Sequence, residues 1–249
     1  MTRTSLLVVA LIGSFAGISG GGRQSAPAGM SDDYVTVNGV RLHYVSAGKG
    51  PLILFLHGFP EFWYAWKDQL AEFGKDHLAV APDLRGYNLS DKPADVDQYR
   101  MSALVEDVRG LAEHFSREKK FILVGHDWGG AVAWAFAIAH PEYLEKLVIV
   151  NAPHPGIFGR LLASDPQQQN ASQYMLMFRR PQAEQTLADS NYTTLVIWGE
   201  KDTALLTKNL DGLDQFVPQL MIKRVADGSH WVIHEKPAEV NGYIRAFIH

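Results

Sequence analysis

The chain of 249 residues contains no cysteine. That absence removes a disulfide framework, a thiolate metal site, a cysteine nucleophile and a lipoprotein anchor. Ten histidines are present, but they are scattered and none falls in H-E-x-x-H or a comparable ligand spacing. The sequence therefore offers no metal site and calls for no cofactor. There is no excess of basic charge: 23 Lys and Arg against 27 Asp and Glu leave a net charge of -4. With no basic patch, nucleic acid is excluded as a partner. No apolar run is long enough to cross a bilayer comfortably. There is no internal repeat, and no low-complexity tract beyond the glycines near residue 20. What remains, 47% hydrophobic and 20% charged, is the composition of one globular domain with a good-sized core.

Residues 1–29 differ from the rest. Arg3 precedes the run Leu6-Leu7-Val8-Val9-Ala10-Leu11-Ile12, which fades into glycines, and Ala26-Pro27-Ala28 offers a small-residue cleavage site. This is the pattern of a secretory signal peptide. Its removal leaves a secreted or periplasmic protein with no integral membrane span. Alternatively, Met30 is the true start and the protein is cytoplasmic. In both cases the fold begins at residue 30.

From there strands and helices alternate. Tyr34–Val37 and Val40–Val45 flank Asn38-Gly39, the signature of a hairpin turn. Leu52–Leu56, Leu78–Pro82, Phe121–Val124, Lys146–Val150, Leu195–Trp198 and Leu220–Val225 read as further strands. Trp63, Trp66 and Leu70 have helical spacing. Residues 101–116 read as an amphipathic helix with Leu104, Val108, Leu111 and Phe115 on one face, and 237–247 as a closing helix. Residues 155–193 break the alternation with helix-like segments near 157–163, 167–178 and 182–189. The expected architecture is an α/β fold. A mostly parallel sheet, flanked by helices, carries a small helical cap (155–193) after the sixth strand. The core lies in two parts, 30–154 and 194–249.

The most informative stretch is Gly125-His126-Asp127-Trp128-Gly129-Gly130. It lies between a buried strand and the Ala-rich helix 131–139, as a strand-turn-helix nucleophile elbow does. The glycines let strand and helix backbones approach. Asp127 occupies the position where esterases place Ser. A serine that attacked saturated carbon would form an ether, which a neighbouring histidine and water cannot cleave. A carboxylate forms an ester, which they can. The competing reading of Asp127 is a helix N-cap. Against it stand Asp202, after the seventh strand, and His230, after the eighth. The order nucleophile, acid, histidine is that of the hydrolase triad, in which the acid orients the imidazole and the imidazole activates water. The loop His57-Gly58-Phe59-Pro60-Glu61 follows a central strand. There the Phe59 N–H, with that of Trp128, can form an oxyanion hole.

These motifs resemble the α/β-hydrolase superfamily and, within it, the soluble epoxide hydrolases. The resemblance is carried by His57–Glu61 with Trp63-Tyr64-x-Trp66, by Arg85-Gly86-Tyr87 with Ser90–Pro93, by the elbow, and by Asn151-Ala152-Pro153-His154-Pro155. It covers roughly residues 31–178 and 194–249. It implies a cofactor-free hydrolase that opens a small apolar epoxide to a vicinal diol through an ester on Asp127. Substrate contacts are then expected from His57, Pro60, Trp128 and Trp231. Haloalkane dehalogenases often carry Asn where this chain has Phe59, and fluoroacetate dehalogenases usually carry Arg where it has Trp128. Both differences favour the epoxide hydrolases. A haloalkane dehalogenase remains the alternative of the same fold, and a low-activity or purely binding protein the alternative from a different class.

The resemblance also implies a cap tyrosine that assists the leaving oxygen, and Tyr174 matches it. The other reading of Tyr174 is an aromatic packing under the lid. Family caps run well beyond 39 residues, so most of the later cap, with its second tyrosine, is expected to be missing. Tyr192 is the one other tyrosine in the segment.

Overall fold

The central strands are continuous apolar runs because each of them feeds two cores. In the computed structural model, which describes residues 29–116, 120–172 and 192–249, strand β3 (Leu52–Leu56) is buried on both faces. Leu52, Leu54 and Leu56 belong to one apolar cluster, and Ile53 and Phe55 to the other. The same alternation holds in β5 (Phe121–His126), β6 (Leu144–Val150) and β7 (Thr193–Gly199). It is the period of two of a strand covered by helices on both sides. Each fully buried Leu, Ile or Phe contributes about 1.5–3 kcal/mol.

The remaining strands are β1 (Met30–Val37), β2 (Val40–Ala47), β4 (Leu78–Pro82) and β8 (Leu220–Val225). The sheet order is β1-β2-β4-β3-β5-β6-β7-β8. β1 and β2 form the expected hairpin, with Val37 opposite Val40 across Asn38-Gly39. β2 runs antiparallel to β4, and every later pairing is parallel. One face is covered by α2 (Met101–Ser116) and α3 (Asp127–Ala139), the other by α1 (Lys67–Phe73) and α7 (Pro237–Ile248). Trp63 and Trp66 precede α1 in a short 3-10 turn and are buried with Leu70.

After β6 the chain enters α4 (Pro155–Ser164) and α5 (Pro166–Ala171), two short helices each begun by a proline. The expected segments beyond residue 172, Tyr174 among them, lie outside the described residues, as does the leader up to residue 28. Strand β7 begins at Thr193, one residue inside the expected cap boundary. A short helix, α6 (Val232–Glu235), follows the loop that carries His230.

The topology decides where chemistry can occur. From β3 the chain crosses to β4 on one side and then returns to β5 on the other. At such a switch point the loops leaving two adjacent strands diverge and open a crevice at their carboxyl ends. Leu56 and Gly125 are register partners. The loop beginning at His57 and the elbow at Asp127 therefore emerge side by side.

Candidate active site

Asp127 sits at φ 49°, a left-handed conformation that costs a non-glycine residue energy and persists where the surroundings enforce it. The enforcement is visible around the turn. A Cβ on Gly125 would lie 2.5 Å from the Gly129 carbonyl oxygen, and one on Gly58 would lie 2.7 Å from the Asp127 Cβ. Only glycine lets β5, α3 and the loop after β3 meet here.

The elbow turns the Asp127 carboxylate toward two different partners. The Phe59 N–H donates to Oδ1 at 2.8 Å. Oδ2 faces His230 Nε2 at 3.3 Å. On the far side of the imidazole, Nδ1 meets Asp202 Oδ2 at 2.7 Å. Asp127, His230 and Asp202, with Asp127 and Asp202 75 residues apart in sequence, thus form one continuous line. Trp128 is the second residue of α3, so its N–H belongs to the first turn, which has no acceptor within the helix. Trp231 stacks edge-on against the His230 ring at 5.0 Å and is exposed, as are Phe59 and Pro60.

Charge is distributed along this line. Burial opposes an imidazolium at His230, but hydrogen bonds and charges from Asp127 and Asp202 outweigh it and push the pKa up to about 10. Burial also opposes the Asp127 carboxylate. The His230 hydrogen bond, the nearby His126 and the Phe59 N–H more than compensate, and its pKa is lowered. Asp202 is lowered for similar reasons, with its Oδ1 taking the N–H groups of Ala204 and Leu205 at 2.9 Å each. The resting arrangement is an imidazolium held between two carboxylates. Among the described residues, no group of three His, Asp or Glu side chains could hold a metal ion.

A family model described as the alpha/beta hydrolase fold matches residues 51–177, half of the chain. The chain belongs to the α/β-hydrolase family. Its relatives include the AB hydrolase superfamily protein YfhM of Bacillus subtilis, 35% identical, with 88% of this chain and 98% of that protein aligned. Epoxide hydrolase 1 of Caenorhabditis elegans is 33% identical over 88% of this chain and 70% of its own length. Among solved structures, an epoxide hydrolase variant from Bacillus megaterium, complexed with its product, a naphthyloxy-propane-diol, superposes with a TM-score of 0.80. It shares 34% identity, over 87% of this chain and 99% of that one. This is an epoxide hydrolase-like member of the family. The alignment with YfhM runs over 282 positions while using only 88% of the present chain. Several dozen positions of that relative therefore have no counterpart in this hydrolase.

Several residues of the hydrolase site do not stand out in its sequence. Asn151, at φ 42°, ends β6. Its Nδ2 donates to Asp202 Oδ2 at 2.8 Å and its Oδ1 accepts the Gly199 N–H at 3.0 Å. It is fully buried and fixes the acid to the neighbouring strand. Glu61 reaches the elbow: its Oε2 lies 3.1 Å from His126 Nδ1 and its Oε1 2.5 Å from His234 Nε2. His126 Nε2 in turn lies 2.8 Å from the carbonyl oxygen of His230. Both neighbours of the His126 ring, the Glu61 carboxylate and the His230 carbonyl, are acceptors. One side chain thereby ties the loop after β3 to the loop that carries His230. Asp83, buried at the end of β4, accepts the Trp63 N–H at 2.9 Å, Asn88 Nδ2 at 2.8 Å and, across β2, His43 Nδ1 at 2.7 Å.

One expectation changes. His57 is fully buried; the Leu84 N–H donates to its Nε2 at 2.9 Å, which leaves Nδ1–H to donate to the Gly58 carbonyl at 2.8 Å. Burial lowers its pKa, and neither nitrogen is free for a substrate. Its ring braces the loop from below. Tyr192 is buried in the core, with its hydroxyl donating to the Ala137 carbonyl at 3.3 Å, so the packing of β7 on α3 claims it and it does not face the site.

Proposed function

We propose that this protein hydrolyses epoxides to vicinal diols in two steps through an ester on Asp127. The observation that supports this most is the double engagement of that carboxylate, with the Phe59 N–H on one oxygen and His230 facing the other. In the first step Oδ2 attacks an oxirane carbon, and the ring carbon–oxygen bond breaks toward oxygen. Oδ1 becomes the ester carbonyl oxygen. In the second step water attacks the ester carbonyl carbon and gives a proton to His230. The Phe59 and Trp128 N–H groups hold the oxyanion on Oδ1. Collapse releases the diol and restores Asp127.

The proton inventory supports this order. Alkylation erases the charge of Asp127, one of the two carboxylates that keep His230 protonated. The imidazole then becomes a base at the stage when a base is required. Exposed Phe59, Leu89 and Trp231, on loops that leave the strand ends, suit an apolar substrate. So do the epoxide hydrolase names of the relatives and the aryloxy diol bound by the structural neighbour. By resemblance, Tyr174 in the cap 155–193 is put forward as an acid for the leaving oxygen.

The test is the His230→Gln variant mixed with an aryl glycidyl ether. A stoichiometric mass increase that maps to Asp127 is expected. No adduct with any of a panel of epoxides and haloalkanes would overturn the reading. A single turnover in 18O-labelled water is expected to place label in the Asp127 carboxylate, whereas direct attack of water on the oxirane would leave it unlabelled.

A further inference from the structure

Asp202 is held from two sides. Asn151 donates to its Oδ2 from the end of β6. The other oxygen, Oδ1, accepts the N–H groups of Ala204 and Leu205 at 2.9 Å each. Neither donor belongs to a helix or strand; the chain runs on from them into a short 3-10 turn, Thr207–Leu210. Such a loop presents its donors accurately only where its own backbone is held. The hold comes from α5. Gln168 is fully buried there. Its Nε2 donates to the Ala204 carbonyl at 2.9 Å and to Ser172 Oγ at 2.6 Å. Its Oε1 accepts the Leu206 N–H at 3.3 Å and Asn209 Nδ2 at 2.9 Å. A side-chain amide has two N–H donors and two acceptor lone pairs, so this one is fully engaged, and three of its four bonds reach the loop. Lys208 adds an exposed tie to Asp165, the N-cap of α5, at 2.7 Å.

The Ala204 carbonyl and the Leu205 N–H are the two ends of one peptide group. Gln168 donates to its oxygen while its nitrogen donates to Asp202. Hydrogen bonds in series polarise one another, so the first bond both aims the second and strengthens it. From Asp202 the series continues to His230 Nδ1 at 2.7 Å, and His230 Nε2 faces Asp127 at 3.3 Å. We propose that Gln168 is a positioning residue for ester hydrolysis, which acts from the first part of the cap through this peptide group on Asp202, and through Asp202 on His230. The inference rests on the epoxide hydrolase reading above and names a residue which that reading leaves unassigned. Its effect is confined to one step. In alkylation Asp127 attacks and His230 transfers no proton, whereas in hydrolysis His230 takes the proton of the attacking water. All four partners of Gln168 are at Ser172 or in the loop after Asp202, so a cap shortened beyond α5 keeps the clamp.

The experiment is a single turnover with an aryl glycidyl ether, quenched and read by intact mass, so that formation and decay of the Asp127 adduct are measured separately. Gln168→Met keeps the length of the side chain and loses its hydrogen bonds. Decay is expected to slow by about tenfold, less than the hundredfold that a displacement of about 1 Å can cost, while formation stays within about twofold. Gln168→Asn retains an amide but draws it one methylene short of the loop, and the same split is expected from it should the methionine variant not fold. The proton between His230 Nδ1 and Asp202, followed by NMR, is expected to shift in both variants. Equal slowing of formation and decay, or fewer active molecules that turn over at wild-type rates, is what a merely structural glutamine produces, and overturns the assignment. So does unchanged decay in a folded variant. If the His230→Gln variant forms no adduct while Gln168 is intact, the parent reading fails instead.

Discussion

Replacing Asp127 by Asn removes one of the two negative charges that face His230 while leaving its shape in place. The structure sets the size of the effect. At the 3.3 Å separation of Nε2 and Oδ2, two unit charges interact by about 1 kcal/mol with water-like screening and about 5 kcal/mol at an effective dielectric constant of ~20. Each pKa unit corresponds to about 1.4 kcal/mol. The His230 pKa is therefore expected to fall from about 10 by roughly 1 to 4 units. Only Asp202 would remain to hold the proton, and burial would oppose it. The lower end of that range still moves the group toward neutrality, and the upper end makes it a base at pH 7. The assay is a histidine-resolved NMR titration of the wild type and of Asp127→Asn. A second sample, His230 with Asp202→Asn, gives the complementary loss. A drop of less than about 0.5 unit on removal of Asp127 would refute the reasoning, because it would mean the two groups are not coupled and alkylation could not free the base.

Asn151→Ala strips a hydrogen bond from a buried carboxylate, orphans the Gly199 N–H and leaves alanine at φ 42°; a loss of about 3–5 kcal/mol is expected from denaturant midpoints. Gly125→Ala forces a Cβ to 2.5 Å from the Gly129 carbonyl oxygen, and a loss of about 3 kcal/mol or more is expected in thermal unfolding. Burial works against the Glu61 carboxylate, but hydrogen bonds to His126 and His234 hold it well below the usual range. A depressed carboxylate stabilises the fold above its ordinary pKa and loses that contribution as pH falls. Glu61→Gln is therefore expected to cost about 1–3 kcal/mol near pH 7, with the gap to wild type closing below about pH 4. A gap that stayed constant with pH would break the link to Glu61.

Much of the fold was legible because the relevant signals are local. Five consecutive apolar residues at Leu52–Leu56 can form a strand covered on both faces and little else, and Asn38-Gly39 specifies its turn without help from the rest of the chain. The meeting of Asp127, His230 and Asp202 was legible through type and order, since an acidic residue between Gly125-His126 and Trp128-Gly129 asks for an acid and a histidine downstream. The residues that escaped are those whose role is set by neighbours distant in sequence. Asn151 acts on Asp202 and Gly199, both about 50 residues later; the adjacency of β6 and β7 creates the contact. A polar side chain closing an apolar strand beside the strand of the acid was the available signal. Glu61 and His126 are joined across the switch point between β3 and β5. His57 read as a substrate contact because its loop borders the site, but the Leu84 N–H, from a different strand end, takes its second nitrogen. Tyr192 read as a cap residue by position, yet β7 begins immediately after it and draws its ring into the core.

The two chemical steps proposed here draw on different parts of the molecule. Ester hydrolysis needs a base, its orienting acid, an oxyanion hole and the alkylated carboxylate. Asp202, His230 and Phe59 sit on loops at the ends of core strands and Asp127 and Trp128 open α3 at the end of β5, and Asn151, Glu61 and His126 tie these segments to one another. Among the described residues, none of these contacts involves the segment from Pro155 to Ser172. Alkylation is different, because a departing alkoxide needs a donor on the side of the substrate remote from Asp127, and a covering lid dries the site and strengthens each charge in it. A shorter cap would therefore weigh on the first step and spare the second.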